Sequence, residues 1–268
     1  MRDLVGDRAE VTVLMPDGID PHDYRPSAKD VAKLEAADAV VTNGLGLEEG
    51  LEDAVGRARD KGVPVFAATD HVALRTFGAD EVPHGTDDQP HEERVAGGED
   101  PHIWVDPLAM RDAMGALAVF LRERIGLDLS AEAAAQRARL DDLDARTRQT
   151  LEVIPPDRRL LVTGHESLGY FADRYGFRLV GAIIPATTSQ AAPSAGELAD
   201  LEDQIRRYQV PVVFNEIGTP PALSEAISRD TGVRVVELAT HTLPADGQYA
   251  TFIQELAAGI RGGLAPAP

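Results

Sequence analysis

The sequence predicts an α/β fold of two lobes, each a parallel sheet flanked by helices, joined by one long rigid helix. Two observations carry this. Short runs rich in β-branched and apolar residues alternate with helix-period patterns along the chain, the rhythm of βαβ units. The middle then breaks that rhythm with two consecutive helical patterns, over residues 108–125 and 130–154.

Strands are expected over residues 11–15, 39–42 and 63–67 in the first part. In the second part they are expected over 160–163, 178–184, 211–215 and 233–238. Helices fall between them, over 27–37, 47–60, 196–209, 221–230 and 248–260. In the central pattern Ser130 is placed as an N-cap and Pro155–Pro156 as the stop. Leu140, Leu143, Thr147, Leu151 and Ile154 recur at three- and four-residue steps, a narrow apolar stripe on a face otherwise dense in Arg, Asp and Gln. A helix of about 25 residues spans roughly 37 Å. That suits a strut between lobes at 1–129 and 155–268, with 130–154 as the linker, and it also suits an ordinary packing helix of one domain.

Composition narrows the function. At 268 residues, one large or two modest domains are possible. Hydrophobic residues make up 43%, enough for packed cores, so wholesale disorder is not expected. The net charge of −19 would repel phosphates, so no nucleic-acid partner is expected. No apolar run approaches the ~18 residues a membrane span needs. Residues 1–30 lack the basic-then-apolar profile of a secretory leader. The absence of cysteine rules out thiolate ligands, disulfides and a lipid-modified cysteine within this sequence. Residues 78–100, rich in Gly, Pro, Asp and Glu and carrying His84 and His91, read as a mobile surface loop. That loop suits an accessory metal site and a plain solvated connection equally well.

Seven histidines occur, and four recur in one kind of place. His22 follows the run at 11–15 by a few residues, in DGIDPHDYRPS. His165 directly follows LLVTG, and His241 comes three residues after VVEL. His102 sits in DPHIWVDP, where the loop re-enters ordered sequence. Ligands of open parallel sheets bind outside the carboxyl ends of strands, so histidines far apart in sequence can converge there. No HxxxH or HExxH spacing is present, so spacing alone gives each histidine little weight as a ligand. His71, in ATDHVAL, reads as a structural or surface residue.

The segments DGIDPHDYRPSAKDV, VVTNGLGLEEGL, DPHIWVDP, TGHESLGYFADRYGF and VVFNEIGTPPALSEAISRDTGVRV occur in this order. Together they resemble the signature stretches of the zinc- and manganese-specific solute-binding proteins of ABC transporters. The resemblance implies two lobes joined by a long helix, with the metal held at their interface. It implies that His22, His102 and His165 are ligands. The family's last ligand is usually an aspartate near the C-terminus. Here HTLPADGQY puts His241 at that place, implying a four-histidine site with Asp246 as the alternative fourth ligand. The resemblance also implies a leader and one further strand ahead of Arg2, so three strands are expected in the first lobe where four are usual.

By this resemblance the cargo is Zn²⁺, with Mn²⁺ as the alternative, because manganese members carry an acidic residue where His165 stands. The chemistry agrees, since imidazole suits zinc and carboxylate oxygens suit manganese. Raw affinity leaves Cu²⁺ and Ni²⁺ as competitors. Four neutral imidazoles leave the +2 charge uncompensated, and Asp20, Asp106, Glu166 and Glu216 are candidates to orient the rings and offset it. The implied partner is the membrane permease of an ABC importer, the implied place periplasmic or extracytoplasmic, and the expected state a monomer. Zinc affinity should fall steeply between about pH 7 and 5, because only neutral imidazole coordinates. Two other readings stand beside this one. A zinc-dependent hydrolase or lyase would use Glu166 or Glu216 as base, although a fourth ligand leaves no position for an activated water. A surface adhesin has no support from particular residues. No enzyme activity is expected.

Overall fold

The computed structural model describes residues 1–77 and 98–266. In the first lobe α1 (Arg2–Val5) is followed by α2 (Ala28–Glu35), β1 (Val40–Thr42), α3 (Glu52–Asp60) and β2 (Val65–Ala67). β1 and β2 pair in parallel, Val40 opposite Val65 and Thr42 opposite Ala67. α2 begins where the sequence placed it, because Ser27 Oγ accepts the Asp30 N–H at 3.3 Å while the Asp30 carboxylate accepts the Ser27 N–H at 3.1 Å. This reciprocal capping satisfies two donors that a helix start otherwise leaves orphaned.

The strand expected over 11–15 does not form, so two strands of this lobe are found among the described residues instead of three. An apolar run becomes a strand only when a neighbouring backbone takes up its N–H and C=O groups, and no ladder joins this run to β1. The segment instead lies over the core as irregular chain. Leu14 is half-buried against the α2–α3 cluster and Val13 is left 57% exposed.

α4 (Pro107–Ile125) and α5 (Ser130–Leu151) follow. Asp106 caps α4 by accepting the Leu108 N–H at 2.8 Å, and Gly126 ends it in the left-handed conformation at φ 72°. Ser130 is not the N-cap but the first residue of α5. Asp128 Oδ1 accepts its N–H at 3.0 Å and its hydroxyl at 2.5 Å. α5 closes at Leu151, three residues short of the expected 154, and Pro155 keeps helical backbone from resuming at Ile154.

With 22 residues α5 is about 33 Å long. Leu140, Leu143, Thr147, Leu151 and Ile154 are all buried, as their spacing predicts. The helix packs against α4 and against α9 (Tyr249–Leu264) near the C-terminus. A single apolar cluster runs from Leu4, Phe66 and Leu117 through Leu151 to Leu161, Phe214 and Ile260. α5 is therefore long enough to bridge and also clamped by close packing, which stiffens the link between lobes.

The second lobe holds β3 (Leu160–His165), α6 (Gly169–Tyr175), β4 (Arg178–Ile184), α7 (Ala195–Tyr208), β5 (Val212–Glu216), α8 (Pro221–Thr231) and β6 (Arg234–Leu238). β3 pairs with β4 and β5 with β6, both in parallel, and β3 lies beside β5. The last residues of β3 and β5, His165 and Glu216, therefore meet at one edge. That approach requires Gly164, where a Cβ would come within 2.6 Å of Glu216 Cγ.

Candidate metal centre

Four imidazoles converge between the lobes. His22 and His102 come from the first lobe, His165 and His241 from the second. Each offers one nitrogen, and these four nitrogens lie within 4.8 Å of one another. Ring centroids stand 5.1 to 6.4 Å apart across all six pairs. His22, His102 and His165 are buried, and His241 keeps partial exposure. In every ring Nε2 is buried and has no hydrogen-bond partner within the protein, and at His165 the same holds of Nδ1. Buried polar atoms are ordinarily satisfied. Four bare ring nitrogens facing one point have the donor chemistry and reach of a tetrahedral Zn²⁺ site.

The backbone around each histidine fixes its aim. His22 and His102 share a local device, an aspartate two residues earlier in the tripeptide Asp-Pro-His. Asp20 Oδ1 accepts the His22 N–H at 3.0 Å, and Asp100 Oδ1 accepts the His102 N–H at 2.9 Å. These are turns closed by an aspartate side chain. Asp100 goes further, its Oδ1 also lying 2.8 Å from His102 Nδ1, which turns Nε2 toward the cluster. Asp100 is fully buried and lies 3.5 Å from Arg75, which in turn pairs with Asp173 at 3.0 Å. His165 ends β3, while His241 follows β6 by three residues. Trp104 reaches across from the first lobe, its Nε1 donating to Thr240 O at 2.8 Å. The same ring stands 5.2 Å from His102 and 5.3 Å from His241.

Glu216 is the acid of the centre. Its Oε1 accepts the N–H groups of Gly164 at 3.0 Å and His165 at 3.1 Å, and lies 3.5 Å from His165 Nδ1. Its Oε2 accepts the hydroxyls of Ser167 at 2.6 Å and Thr240 at 2.5 Å. Burial alone would raise its pKa, but the neighbouring His165 and these donors hold it below the usual carboxylate range. His165 answers in kind: burial pulls its pKa down, and the Glu216 charge overrides this to leave it raised. His22 is lowered to about 3, by burial first and then by the charges of His102 and His165. Burial likewise pushes His241 well below its ordinary value.

Of the other residues singled out by sequence, Asp20 has a second use besides holding His22, and the rest fall elsewhere. Asp20 joins the lobes by accepting the Ser189 hydroxyl, and beside it Gly218 adopts φ 88°, which a side chain there would strain. Asp106 caps α4 and grips Arg174 through both oxygens, at 2.8 to 3.1 Å, so its place is structural. Glu166 donates its backbone N–H to Ala186 O at 3.1 Å. His71 is exposed and stacks on Phe66 at 4.5 Å, a structural position as expected. Asp246 is exposed, its carboxylate taken by the Gln248 N–H at 2.9 Å and the Thr251 hydroxyl at 2.7 Å, where it starts α9. His84 and His91 lie outside the described residues.

Asp100, Trp104, Ser167 and Thr240 were not read from the sequence as parts of the centre. For Asp100 a signal existed in the Asp-Pro-His tripeptide that occurs at both 20–22 and 100–102. For Thr240 and Ser167 none did, because their role depends on a carboxylate brought from another strand.

Two α/β lobes closing buried imidazoles between them define a two-lobed binding protein with room for one cation. The chain belongs to the ZnuA family, described as component A, periplasmic, of the zinc-uptake complex, whose family model matches residues 1–263. It is 29% identical over 247 residues to the zinc-binding lipoprotein AdcA of Streptococcus pneumoniae, covering 87% of this chain and 46% of that protein. The chain thus spans about half the length of the first curated relatives it matches. It is 28% identical over 261 residues to the manganese-binding lipoprotein MntA of Halalkalibacterium halodurans, covering 94% of this chain and 79% of that one. Its fold matches the periplasmic zinc-binding protein TroA of Treponema pallidum with a TM-score of 0.79 at 24% identity, over 99% of this chain and 94% of TroA. Among the described residues, no helix is long and apolar enough to cross a membrane.

Proposed function

We propose that this protein captures one Zn²⁺ with His22, His102, His165 and His241 and delivers it to the membrane permease of an ABC importer, outside the cytoplasm. The observation that carries the reading is four histidines that each bring one ring nitrogen within 4.8 Å of the others, each with a buried Nε2 that has no protein partner. Relatives named as zinc-binding support the choice of cargo, and one named as manganese-binding keeps Mn²⁺ as the alternative. Nitrogen-only donors favour zinc, because manganese prefers carboxylate oxygen. In this reading residues 1–129 and 155–268 are the two lobes and 130–154 the linker, with α5 as its rigid part. A fourth imidazole closes the coordination shell and leaves no position for an activated water, which argues against a hydrolase or lyase. The protein acts as a monomer.

The test is a titration of metal-free protein with Zn²⁺ and Mn²⁺ against a chelator of known affinity. One tight zinc per chain is expected, with manganese binding much more weakly. The chain has a single tryptophan, and Trp104 lies against two of the four rings, so its emission should change and saturate at one equivalent. Two equally tight zinc ions, or none, would count against the four-histidine centre.

The pH dependence should be shallower than four independent imidazoles would give. Of the four rings, burial lowers His22 to about 3 and His241 well below its ordinary value, so near neutral pH binding displaces at most two protons. His165, whose pKa is raised by Glu216, must lose its proton, so affinity falls as pH drops through that raised value. Log affinity against pH from 7 to 5 should therefore have a slope between about one and two. A slope near four would mean that the rings are solvated and free before metal arrives.

A further inference from the structure

We propose that Thr240 is a positioning residue that fixes which nitrogen of His241 is free for the metal. The role rests on His241 being a ligand, as read above. Thr240 Oγ1 lies 2.5 Å from Glu216 Oε2 and 2.8 Å from His241 Nδ1. A hydroxyl has one proton to give. Glu216 already accepts the N–H groups of Gly164 and His165 and the hydroxyl of Ser167, so it is a charged acceptor with nothing to donate. The Thr240 proton therefore goes to Glu216. What Thr240 offers His241 is a lone pair, and His241 Nδ1 must then carry the ring proton. Nε2, buried and without a protein partner, is left with its lone pair facing the cluster.

At two other rings a carboxylate faces Nδ1 without an intervening hydroxyl. His102 Nδ1 meets Asp100 directly at 2.8 Å, and His165 Nδ1 faces Glu216 at 3.5 Å. One carboxylate thus holds the His165 backbone N–H and lies near its ring, and reaches His241 through an intervening hydroxyl. Thr240 is itself 1% exposed, its carbonyl is held by Trp104 and its hydroxyl by Glu216, so both backbone and side chain are anchored. Were its proton to turn onto His241 Nδ1, the ring proton would sit on Nε2 and occupy the coordinating position.

The test pairs Thr240→Val, which removes the hydroxyl, with Thr240→Ser, which keeps it. Zinc affinity should fall about 10- to 100-fold in Thr240→Val and return to within a few-fold of wild type in Thr240→Ser. In a His241→Ala background, Thr240→Val should cost nothing further. Long-range ¹H–¹⁵N NMR of the metal-free wild type should show His241 with its proton on Nδ1, a readout that needs no variant to fold. A wild-type ring protonated on Nε2 would overturn the proposal. So would an equal loss from Thr240→Val whether or not His241 is present, since that is a purely structural effect. Wild-type zinc affinity in Thr240→Val beside a weakened His241→Ala would overturn this role alone. Wild-type affinity in His241→Ala would overturn the ligand reading and this role with it.

Discussion

His102→Ala is expected to weaken zinc binding by roughly two to three orders of magnitude. Four-ligand zinc sites bind with about 10–16 kcal/mol, so one imidazole carries roughly 2.5–4 kcal/mol, or about 10²–10³ in affinity. His102 should lie at the upper end, because it is fully buried and its orientation is fixed by Asp100. Removing the ring also leaves Asp100 Oδ1 with only the backbone N–H of residue 102, while Oδ2 keeps Arg75 at 3.5 Å. Asp100→Asn, which keeps the first ligand but weakens its orientation, should cost about 10- to 100-fold. Chelator competition at pH 7 measures both. If His102→Ala bound zinc within threefold of wild type, the cluster would not be the high-affinity site.

Much of the fold could be read in advance because its signals are local. The helix start at Ser27 follows from side-chain capping that involves only the next three residues, and the same device at Ser194 starts α7 one residue ahead of the expected 196. The stripe from Leu140 to Ile154 is a periodicity that tertiary packing could only bury one way. The strand at 11–15 failed for the opposite reason. Its apolar content was right, but strand formation depends on a partner backbone elsewhere in the chain, which no local pattern encodes. Ser130 was misread because Asp128, two residues earlier, could also close the helix start, and its carboxylate took the donors.

The centre was legible in a different way. Spacing gave little, since His22, His102, His165 and His241 share no local motif. Their placement beside strand ends, together with the ordered family segments, singled out the four residues that converge here. The acids were harder. Asp20, Asp106 and Glu216 all sit near a histidine or its motif, yet their carboxylates serve a lobe contact, a helix cap with an arginine, and the rings themselves. Sequence proximity cannot separate those uses, because each depends on which donor the fold brings within 3 Å.

The choice between His241 and Asp246 as the fourth ligand gives the sharpest expected contrast. His241 aims a buried, unpartnered Nε2 at the other three rings, whereas Asp246 is exposed with both oxygens already used at the start of α9. His241→Ala should therefore open one coordination position that water can fill, weakening zinc by about 10²-fold without losing it. His241→Asp should recover much of that loss, and its oxygen should shift relative preference toward manganese. Asp246→Ala should leave both metals within about twofold. The ratio of zinc to manganese affinity in the His241→Asp protein is the decisive quantity, because it tests ligand identity and not merely integrity of the fold. A ratio unchanged from wild type would mean that residue 241 does not touch the ion. Loss of zinc in Asp246→Ala with normal binding in His241→Ala would move the fourth ligand into the turn before α9, and the loop would then have to rearrange to release Gln248 and Thr251.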